Sequence, residues 1–206
     1  MINNKKGIVF IVTAPSGTGK STLCNLVLEK ESNLEFSVSY TSRSPRPAEK
    51  EGKDYFFISK KEFRNKIDSN NFLEWAIYVD NYYGTDKLKT REVIESGRDI
   101  LLDIDIQGAD SIKEALPEAI RIFILPPSKE VLKQRLKDRG TNTPGDLQMR
   151  LTTAKTEVEK GAEFEYVIIN DDLEKALMDL RAIIRAERLK TANNKIDYNR
   201  VLRSFE

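Results

Sequence analysis

The residues most able to do chemistry lie in the segment APSGTGKST, which runs from Ala14 to Thr22. It nearly matches the pattern Gly-x-x-x-x-Gly-Lys-Ser/Thr, in which backbone N–H groups hold phosphates, the lysine reaches the β- and γ-phosphates and the hydroxyl holds Mg²⁺. Gly19, Lys20 and Ser21 fit, whereas Ala14 replaces the first glycine. A methyl group is tolerable there unless φ must be positive. The segment predicts a nucleotide site, with a glycine-rich turn beside a helix as the alternative.

A second group of candidate anion ligands lies in the segment SYTSRSPRPAEKEGKDY. Arg43 and Arg46 are the arginines of this segment, and Pro45 and Pro47 stiffen the backbone around the second of them. Arginine clamps phosphate with two parallel hydrogen bonds. The segment predicts a second phosphate pocket, and two solvated surface arginines are the alternative.

An acid interrupts the apolar segment FLEWAIYV. On a strand, Leu73, Trp75, Ile77 and Val79 share one apolar face, and Glu74 lies on the other. A surface charge facing water is the ordinary interpretation. The sharper hypothesis is base recognition, because a carboxylate accepts two hydrogen bonds and guanine offers N1–H and N2–H₂ as adjacent donors. Adenine presents an acceptor at N1 and would leave the carboxylate poorly paired.

Two further acids occur in LLDIDIQG. We expect Asp103 and Asp105 to share one face near the C-terminal end of a strand, where ligands bind in open α/β sheets. One would support Mg²⁺ and its water shell, and the other could reach the acceptor. A polar strand end at a subdomain boundary is the alternative.

Three arginines follow in the segment 132–151. Arg135 and Arg139 lie one helical turn apart on one face, and Arg150 comes after the break Gly-Thr-Asn-Thr-Pro-Gly. Two arginine-rich helices joined by a flexible break are typical of a lid that closes on a triphosphate. A solvated basic helix face is the alternative.

Composition narrows the chemistry. The 206 residues suit one domain, and the net charge of +1 gives no global attraction to nucleic acid or membranes. There is no histidine, which excludes histidine triads and histidine zinc sites, and Cys24 is the only cysteine, which excludes an internal disulfide. We interpret Cys24 as a small core residue. The N-terminus has no signal-peptide cleavage pattern and no apolar run is long enough to span a membrane, so we expect a cytoplasmic protein.

The elements that must position these residues alternate along the chain. Short apolar runs at 7–14, 99–106, 119–125 and 166–170 suit a parallel sheet that is buried on both faces. Helical patterns lie between them at 20–31, about 85–96, 108–116 and 128–138, and a final helix starts near Asp172. This alternation predicts a three-layer α/β domain. From about 34 to 79 the pattern is mainly β, which indicates an inserted substrate-binding subdomain or a peripheral hairpin.

Taken in order, APSGTGKST, SYTSRSPRP…GKDYFF, FLEWA…NYYGT, LLDIDIQG, RLKDRG…RL and VIINDD resemble the guanylate kinase family. The resemblance covers residues 7–188. It implies a P-loop NTPase-type parallel sheet flanked by helices, with an inserted β-rich GMP-binding subdomain at about 35–85 and a helical lid at about 136–162. These belong to a single domain, 1–206, with its core at 5–34, 86–135 and 163–190. The tail 191–206 extends past the usual family end.

The resemblance also implies an activity, the Mg²⁺-dependent transfer of phosphate from ATP to GMP, and to dGMP, in guanine nucleotide recycling. It assigns ATP to Ala14, Pro15, Ser16, Gly17, Thr18, Gly19, Lys20, Ser21, Thr22, Arg135 and Asn170. It assigns GMP to Ser39, Arg43, Arg46, Tyr55, Glu74, Tyr83, Thr85 and Asp105. Catalysis would rest on Lys20, Arg43, Arg139 and Arg150. Mg²⁺ would be held by Ser21 and Asp103, directly or through water.

The missing histidine suits this reaction. The accepting phosphate oxygen of GMP is already deprotonated near neutral pH, so no general base is needed. Two other functions stay open at this point: a non-catalytic protein-binding module of the same fold, and a kinase of another small phosphorylated acceptor. The intact Lys20 loop argues against the first, and Glu74 with the two arginines argues against the second. No obligate protein partner is evident, and the chain is a monomer or a homo-oligomer.

Overall fold

The structure, a computed structural model, describes residues 5–78, 80–138 and 144–206. Its strands are β1 (Val9–Thr13), β2 (Leu34–Phe36), β3 (Tyr40–Thr41), β4 (Phe56–Phe57), β5 (Phe72–Tyr78), β6 (Asn81–Asp86), β7 (Asp99–Asp103), β8 (Ile120–Leu125) and β9 (Tyr166–Ile169). Its helices are α1 (Lys20–Lys30), α2 (Lys60–Asp68), α3 (Lys87–Glu95), α4 (Ile106–Ala115), α5 (Lys129–Asp138), α6 (Pro144–Lys160), α7 (Leu173–Leu189) and α8 (Lys195–Leu202).

A parallel sheet in the order β2-β7-β1-β8-β9 forms the centre of the molecule. All five residues of β1 are buried, because alternate side chains enter hydrophobic clusters on opposite faces. Phe10 packs in a cluster with α1 and α7, and Ile11 packs in the other cluster with α4. Full burial of such side chains stabilises the fold by about 2 kcal/mol each. The three-layer α/β prediction is confirmed, and Cys24 is a fully buried core residue.

A second, mixed sheet has the order β4-β3-β6-β5 and is built from the β-rich segment of the sequence. Helix α2 anchors it through Phe63, whose ring stacks on Phe72 and Tyr82 at centroid distances of 4.5 and 5.2 Å. Ser59 and Glu62 cap α2 reciprocally, because the side chain of each accepts a hydrogen bond from the backbone N–H of the other. This small sheet forms one wall above the carboxyl ends of the central strands.

The boundary between β7 and α4 differs from the prediction. The sequence suggests a strand to Ile106 and a helix from Gly108, whereas β7 ends at Asp103 and α4 begins at Ile106. Asp105 is the N-cap of α4 and accepts a hydrogen bond from the Gly108 N–H at 2.8 Å. Ile104 and Ile106 are both buried in the core. Their alternation with Asp103 and Asp105 gives the period-two pattern of a strand, although the strand has already ended.

Helices α5 and α6 share a small hydrophobic cluster of their own. It consists of Leu132, Leu136, Leu151 and Ala154, with Leu147 at its margin. Farther along, α7 packs on the central sheet, while α8 has no buried residue. In the part of the chain that the structure describes, no helix is long and apolar enough to cross a membrane.

Candidate active site

A cleft of about 880 Å³ lies between the two sheets. The carboxyl ends of β1 and β7 form its floor, which is the usual ligand position in an open α/β sheet. Most of the site residues expected from the sequence line this one cleft: residues 14–22, Ser39, Arg46, Tyr55, Glu74, Tyr83, Asp103, Asp105 and Arg150. Residues far apart in the chain therefore meet in one place.

The segment 14–22, here called the phosphate loop, connects β1 to α1. Gly17 and Gly19 have φ angles of +93° and +96°, a region that favours glycine. Among the described residues other than glycine, only Asn70 and Asp80 have positive φ, so Ala14 needs no glycine-like conformation. Because α1 begins at Lys20, the loop's N–H groups gather at a helix N-terminus, which attracts anions.

Two predicted ATP ligands brace this loop. Asn170 Nδ2 and Arg135 Nη1 both donate to the Thr18 carbonyl oxygen, at 2.8 and 3.2 Å. The Thr18 hydroxyl in turn donates to the Pro15 carbonyl at 2.7 Å. A Cβ on Gly19 would lie 2.6 Å from Asn170 Nδ2. Asn170 and Arg135 therefore contact the backbone of the phosphate loop.

Lys20 and Ser21 both meet Asp103. Lys20 Nζ lies 2.5 Å from Asp103 Oδ1 and also donates to the Ile104 carbonyl at 2.8 Å. Ser21 Oγ donates to Asp103 Oδ2 at 3.3 Å. A hydroxyl and a carboxylate thus lie together beside the lysine, which is an oxygen donor set of the kind that Mg²⁺ prefers.

Helix α6 contacts the phosphate loop through an arginine. Arg150 Nη1 donates to Ser16 Oγ at 2.8 Å. Arg139, the other predicted lid arginine, lies outside the described residues. Glu157 of α6 also lines the cleft. Its position could not be predicted from the sequence, because it is one acid among many on a charged helix. Burial and then Asp105 raise the pKa of Glu157, while Lys20 opposes them.

The segment SYTSRSPRPAEKEGKDY contains an acid, Glu49, that was not among the predicted site residues. Arg43 Nη2 lies 2.7 and 2.9 Å from the two carboxylate oxygens of Glu49. The backbone N–H of Arg46 donates to the same carboxylate at 2.8 Å. The signal available in the sequence was a carboxylate three residues after Arg46 in a proline-stiffened segment.

Aromatic rings adjoin this ion pair. The Arg43 guanidinium lies 5.6 Å from the ring centroid of Tyr55, and the rings of Tyr55 and Tyr83 meet edge to face at 5.9 Å. Burial is the main cause that raises the pKa of Tyr55, and Asp103 and Tyr83 add to it. The Tyr55 phenol therefore stays a neutral O–H donor.

Glu74 is the buried acid of the cleft, with 7% of its surface exposed. Its Oε1 accepts a hydrogen bond from Thr85 Oγ1 at 2.7 Å. Its Oε2 lies against α4, since a Cβ on Gly108 would approach it to 3.0 Å. Burial raises the pKa of Glu74 to about 7; the Thr85 hydroxyl opposes the rise and Asp105 adds to it. A surface charge facing water is therefore excluded.

The apolar face predicted for FLEWAIYV is exposed to solvent in the middle of β5, and its last residue, Val79, lies outside the described residues. Trp75 and Ile77 are 44% and 57% exposed, whereas Glu74 between Leu73 and Trp75 points inward. An irregularity in pairing between Phe72 and Glu74 shifts the register of β5 on β6. Hydrophobicity alone predicts the opposite orientation of this strand.

Comparisons with known proteins agree with this geometry. The family model described as Guanylate kinase matches residues 6–187. The guanylate kinase of Symbiobacterium thermophilum is 45% identical over 194 residues, which are 94% of this chain and 92% of that protein. That of Dechloromonas aromatica is 49% identical over 183 residues, 89% and 91% of the two chains. The crystal structure of guanylate kinase from Anaplasma phagocytophilum has a TM-score of 0.77 at 34% identity and covers 92% of this chain and 90% of that one. The matched range includes every segment that lines the cleft.

Proposed function

The chain belongs to the guanylate kinase family and transfers phosphate from ATP to GMP, and we propose how the residues of its cleft divide this work. The observation that carries the proposal is the meeting of a phosphate loop and the buried carboxylate of Glu74 in one cleft. The loop suits the phosphates of the donor, and the carboxylate suits the base of the acceptor.

On the donor side, the phosphate loop binds ATP and Lys20 contacts the phosphate that moves. Arg150 supports this role, since its contact with Ser16 brings a positive charge to the loop from α6. Arg139 is assigned the same task from the sequence alone. These cations neutralise charge on the phosphoryl group during in-line transfer. Arg135 and Asn170 serve ATP by holding the Thr18 carbonyl, which keeps the loop in shape.

On the acceptor side, Arg43, Arg46, Tyr55 and Tyr83 hold the GMP phosphate. Glu74 reads the N1–H and N2–H₂ donors of guanine, with Ser39, Thr85 and Asp105 around the same base. The Thr85 hydroxyl supports this role, because it fixes one carboxylate oxygen and orients the other. A base without two adjacent donors would leave a buried carboxylate unpaired, which is the strongest form of discrimination.

Mg²⁺ would be held by Ser21 and Asp103, whose oxygen atoms lie together beside Lys20. Among the described residues no group of three or more acids, cysteines or histidines could hold a metal by itself. That fits Mg²⁺, which keeps several waters and binds through one or two protein ligands and the substrate phosphates. When bound, the ion would neutralise charge on the phosphates of ATP.

The chain's own residues need no general base for this transfer, since a GMP phosphate oxygen attacks in its deprotonated form. Their tasks are alignment, charge neutralisation and exclusion of water, which would otherwise hydrolyse ATP. We assign the last task to a lid at about 136–162 that closes over a core at 5–34, 86–135 and 163–190, with the GMP-binding subdomain at about 35–85. The cytoplasmic location stays a prediction, and so do the oligomeric state and the role of the tail.

The decisive experiment is ATP turnover in a coupled assay against GMP, dGMP, AMP, UMP and dTMP. We expect turnover with GMP and dGMP and little with the others, because those others lack the paired donors of guanine. Arg46→Ala serves as the matched variant, and it should raise the KM for GMP without changing the KM for ATP. Equal turnover with AMP would contradict the assignment of Glu74, and no turnover with any acceptor would favour a protein-binding module.

A further inference from the structure

Arg43 forms an ion pair with Glu49. Arg43 is assigned to the GMP phosphate in the proposed function, whereas Glu49 has no role in it. Both carboxylate oxygens of Glu49 accept from Arg43 Nη2, at 2.7 and 2.9 Å. Both side chains are mostly shielded from solvent, at 17% and 15% exposure. Charge-assisted bonds of this kind fix geometry as well as adding energy. Arg43 is therefore ordered by its own protein chain.

Glu49 is itself held in place. The backbone N–H of Arg46 donates to Glu49 Oε2 at 2.8 Å, across the turn that contains Pro45 and Pro47. Arg43 holds the pKa of Glu49 below its ordinary value, through the side-chain hydrogen bond above all, so the carboxylate is ionised at neutral pH. The order of support runs from the Arg46 backbone to Glu49 and from Glu49 to the Arg43 guanidinium.

The Arg43 guanidinium adjoins two tyrosines that line the cleft, Tyr55 and Tyr83. A guanidinium carries five N–H groups. Glu49 accepts from Nη2 and the Ser44 carbonyl accepts from Nη1 at 2.8 Å. The hydrogen bond with Glu49 above all, and a further one with Tyr83, raise the pKa of Arg43, so the guanidinium stays charged beside the cleft. The guanidinium lies against Tyr55, which lines the cleft. An arginine fixed in this way loses little rotamer freedom when a phosphate binds.

We propose that Glu49 is a positioning residue of the GMP phosphate site, which acts through Arg43 and does not touch the substrate. The inference rests on the proposed function, because it takes GMP as the ligand of this pocket. Its effect is the balance of two opposing terms. The carboxylate repels the incoming phosphate, and it also holds the guanidinium that binds this phosphate. With Arg43 present, we expect the holding effect to be the larger, because the guanidinium lies 2.7 Å from the carboxylate and neutralises its charge.

The first test is Glu49→Gln, with Glu51→Gln as the matched control. Glu51 lies two residues away in the same segment, and its carboxylate accepts from the backbone of Phe57 at 3.0 Å rather than from an arginine. Glu49→Gln should raise the KM for GMP about tenfold, the scale of one hydrogen bond to a charged group. The KM for ATP should stay unchanged, and Glu51→Gln should leave both unchanged. A melting temperature for each variant separates this effect from misfolding.

The second test repeats Glu49→Gln in an Arg43→Ala background. If Glu49 acts through Arg43, Glu49→Gln no longer weakens GMP binding in the Arg43→Ala protein. It lowers the KM for GMP instead, because a charge that repels the phosphate is removed. A full tenfold increase in that background would overturn the inference, since Glu49 would then act on the segment as a whole. So would a Glu49→Gln protein that binds GMP as the Glu51→Gln protein does. Failure of the wild-type chain to phosphorylate GMP would instead refute the proposed function.

Discussion

Glu74→Gln tests the electrostatics of the cleft most directly. The pKa of Glu74 rises from its ordinary value of 4.5 to about 7 in the folded chain. The folded state therefore holds a proton that the unfolded state has lost between these two pH values, and stability falls as pH rises through this window. The full penalty above pH 7 is about 3 kcal/mol, from a shift of about 2.5 units at 1.36 kcal/mol per unit. Glutamine imitates the neutral acid and avoids this penalty.

The same substitution should cost activity. Its amide turns one acceptor into a donor that faces a guanine donor, so kcat/KM for GMP should fall on the order of a hundredfold or more. In the wild type, kcat/KM for GMP should rise as pH increases through about 7, because guanine recognition needs the ionised carboxylate. The variant should lack this step. Ionisation of the GMP phosphate affects the wild type and the variant equally. Comparing their two pH profiles therefore isolates the contribution of Glu74.

The assay is urea unfolding of both proteins from pH 5 to pH 8 without nucleotides, followed by kcat/KM for GMP and AMP across the same range. The variant should exceed the wild type by less than about 1 kcal/mol near pH 5 and by up to about 3 kcal/mol at pH 8. Its preference for GMP over AMP should narrow. Parallel stability curves together with an unchanged preference would refute the reasoning, since they would describe a solvated acid that reads no base.

Three further substitutions address the phosphate side of the cleft. Lys20→Ala should lower turnover on the order of a hundredfold or more while the fold persists, and circular dichroism with steady-state kinetics would check both; near-normal turnover would reject the loop assignment. Arg150→Ala should lower kcat more than it raises the KM for GMP, as a steady-state comparison of the two constants would show; the reverse pattern would place it on the acceptor. Gly19→Ala should weaken ATP binding, measured by calorimetry, because the φ of +96° strains any side chain and a Cβ would displace the Asn170 amide, 2.6 Å away, from the Thr18 carbonyl; unchanged affinity would contradict that geometry.

The central sheet could be predicted from the sequence because its signals are local. A continuous apolar run such as β1 has no solvent-facing side, and a helix cap such as Ser59 with Glu62 lies within four residues. The phosphate loop is of the same kind, since strand, glycines, lysine and helix follow one another directly. These features depend on neighbours in the chain, which a sequence displays in order.

The features that could not be predicted depend on residues that are distant in the chain. The N-cap role of Asp105 was concealed by Ile104 and Ile106, whose burial depends on distant parts of the core. The inward orientation of Glu74 depends on α4 and Thr85, which no periodicity in β5 reveals. Glu49 and Glu157 were missed because a carboxylate acquires its role from the cation or cleft it faces. Sequence patterns indicate which residues are apolar, whereas tertiary packing decides which polar ones are enclosed.

Gly17 connects two parts of the molecule that are usually considered separately. A Cβ at this position would lie 2.7 Å from Leu136 Cδ2 and 3.2 Å from Leu132 Cδ1, and these leucines also form the cluster between α5 and α6. Leu132 and Leu136 thus fill the space beside Gly17 and also pack against α6. Over evolutionary time, a larger residue in the loop would require smaller ones in α5, and the cluster with α6 would have to be refilled. The loop, α5 and α6 are therefore expected to change in sequence together, as one inherited unit.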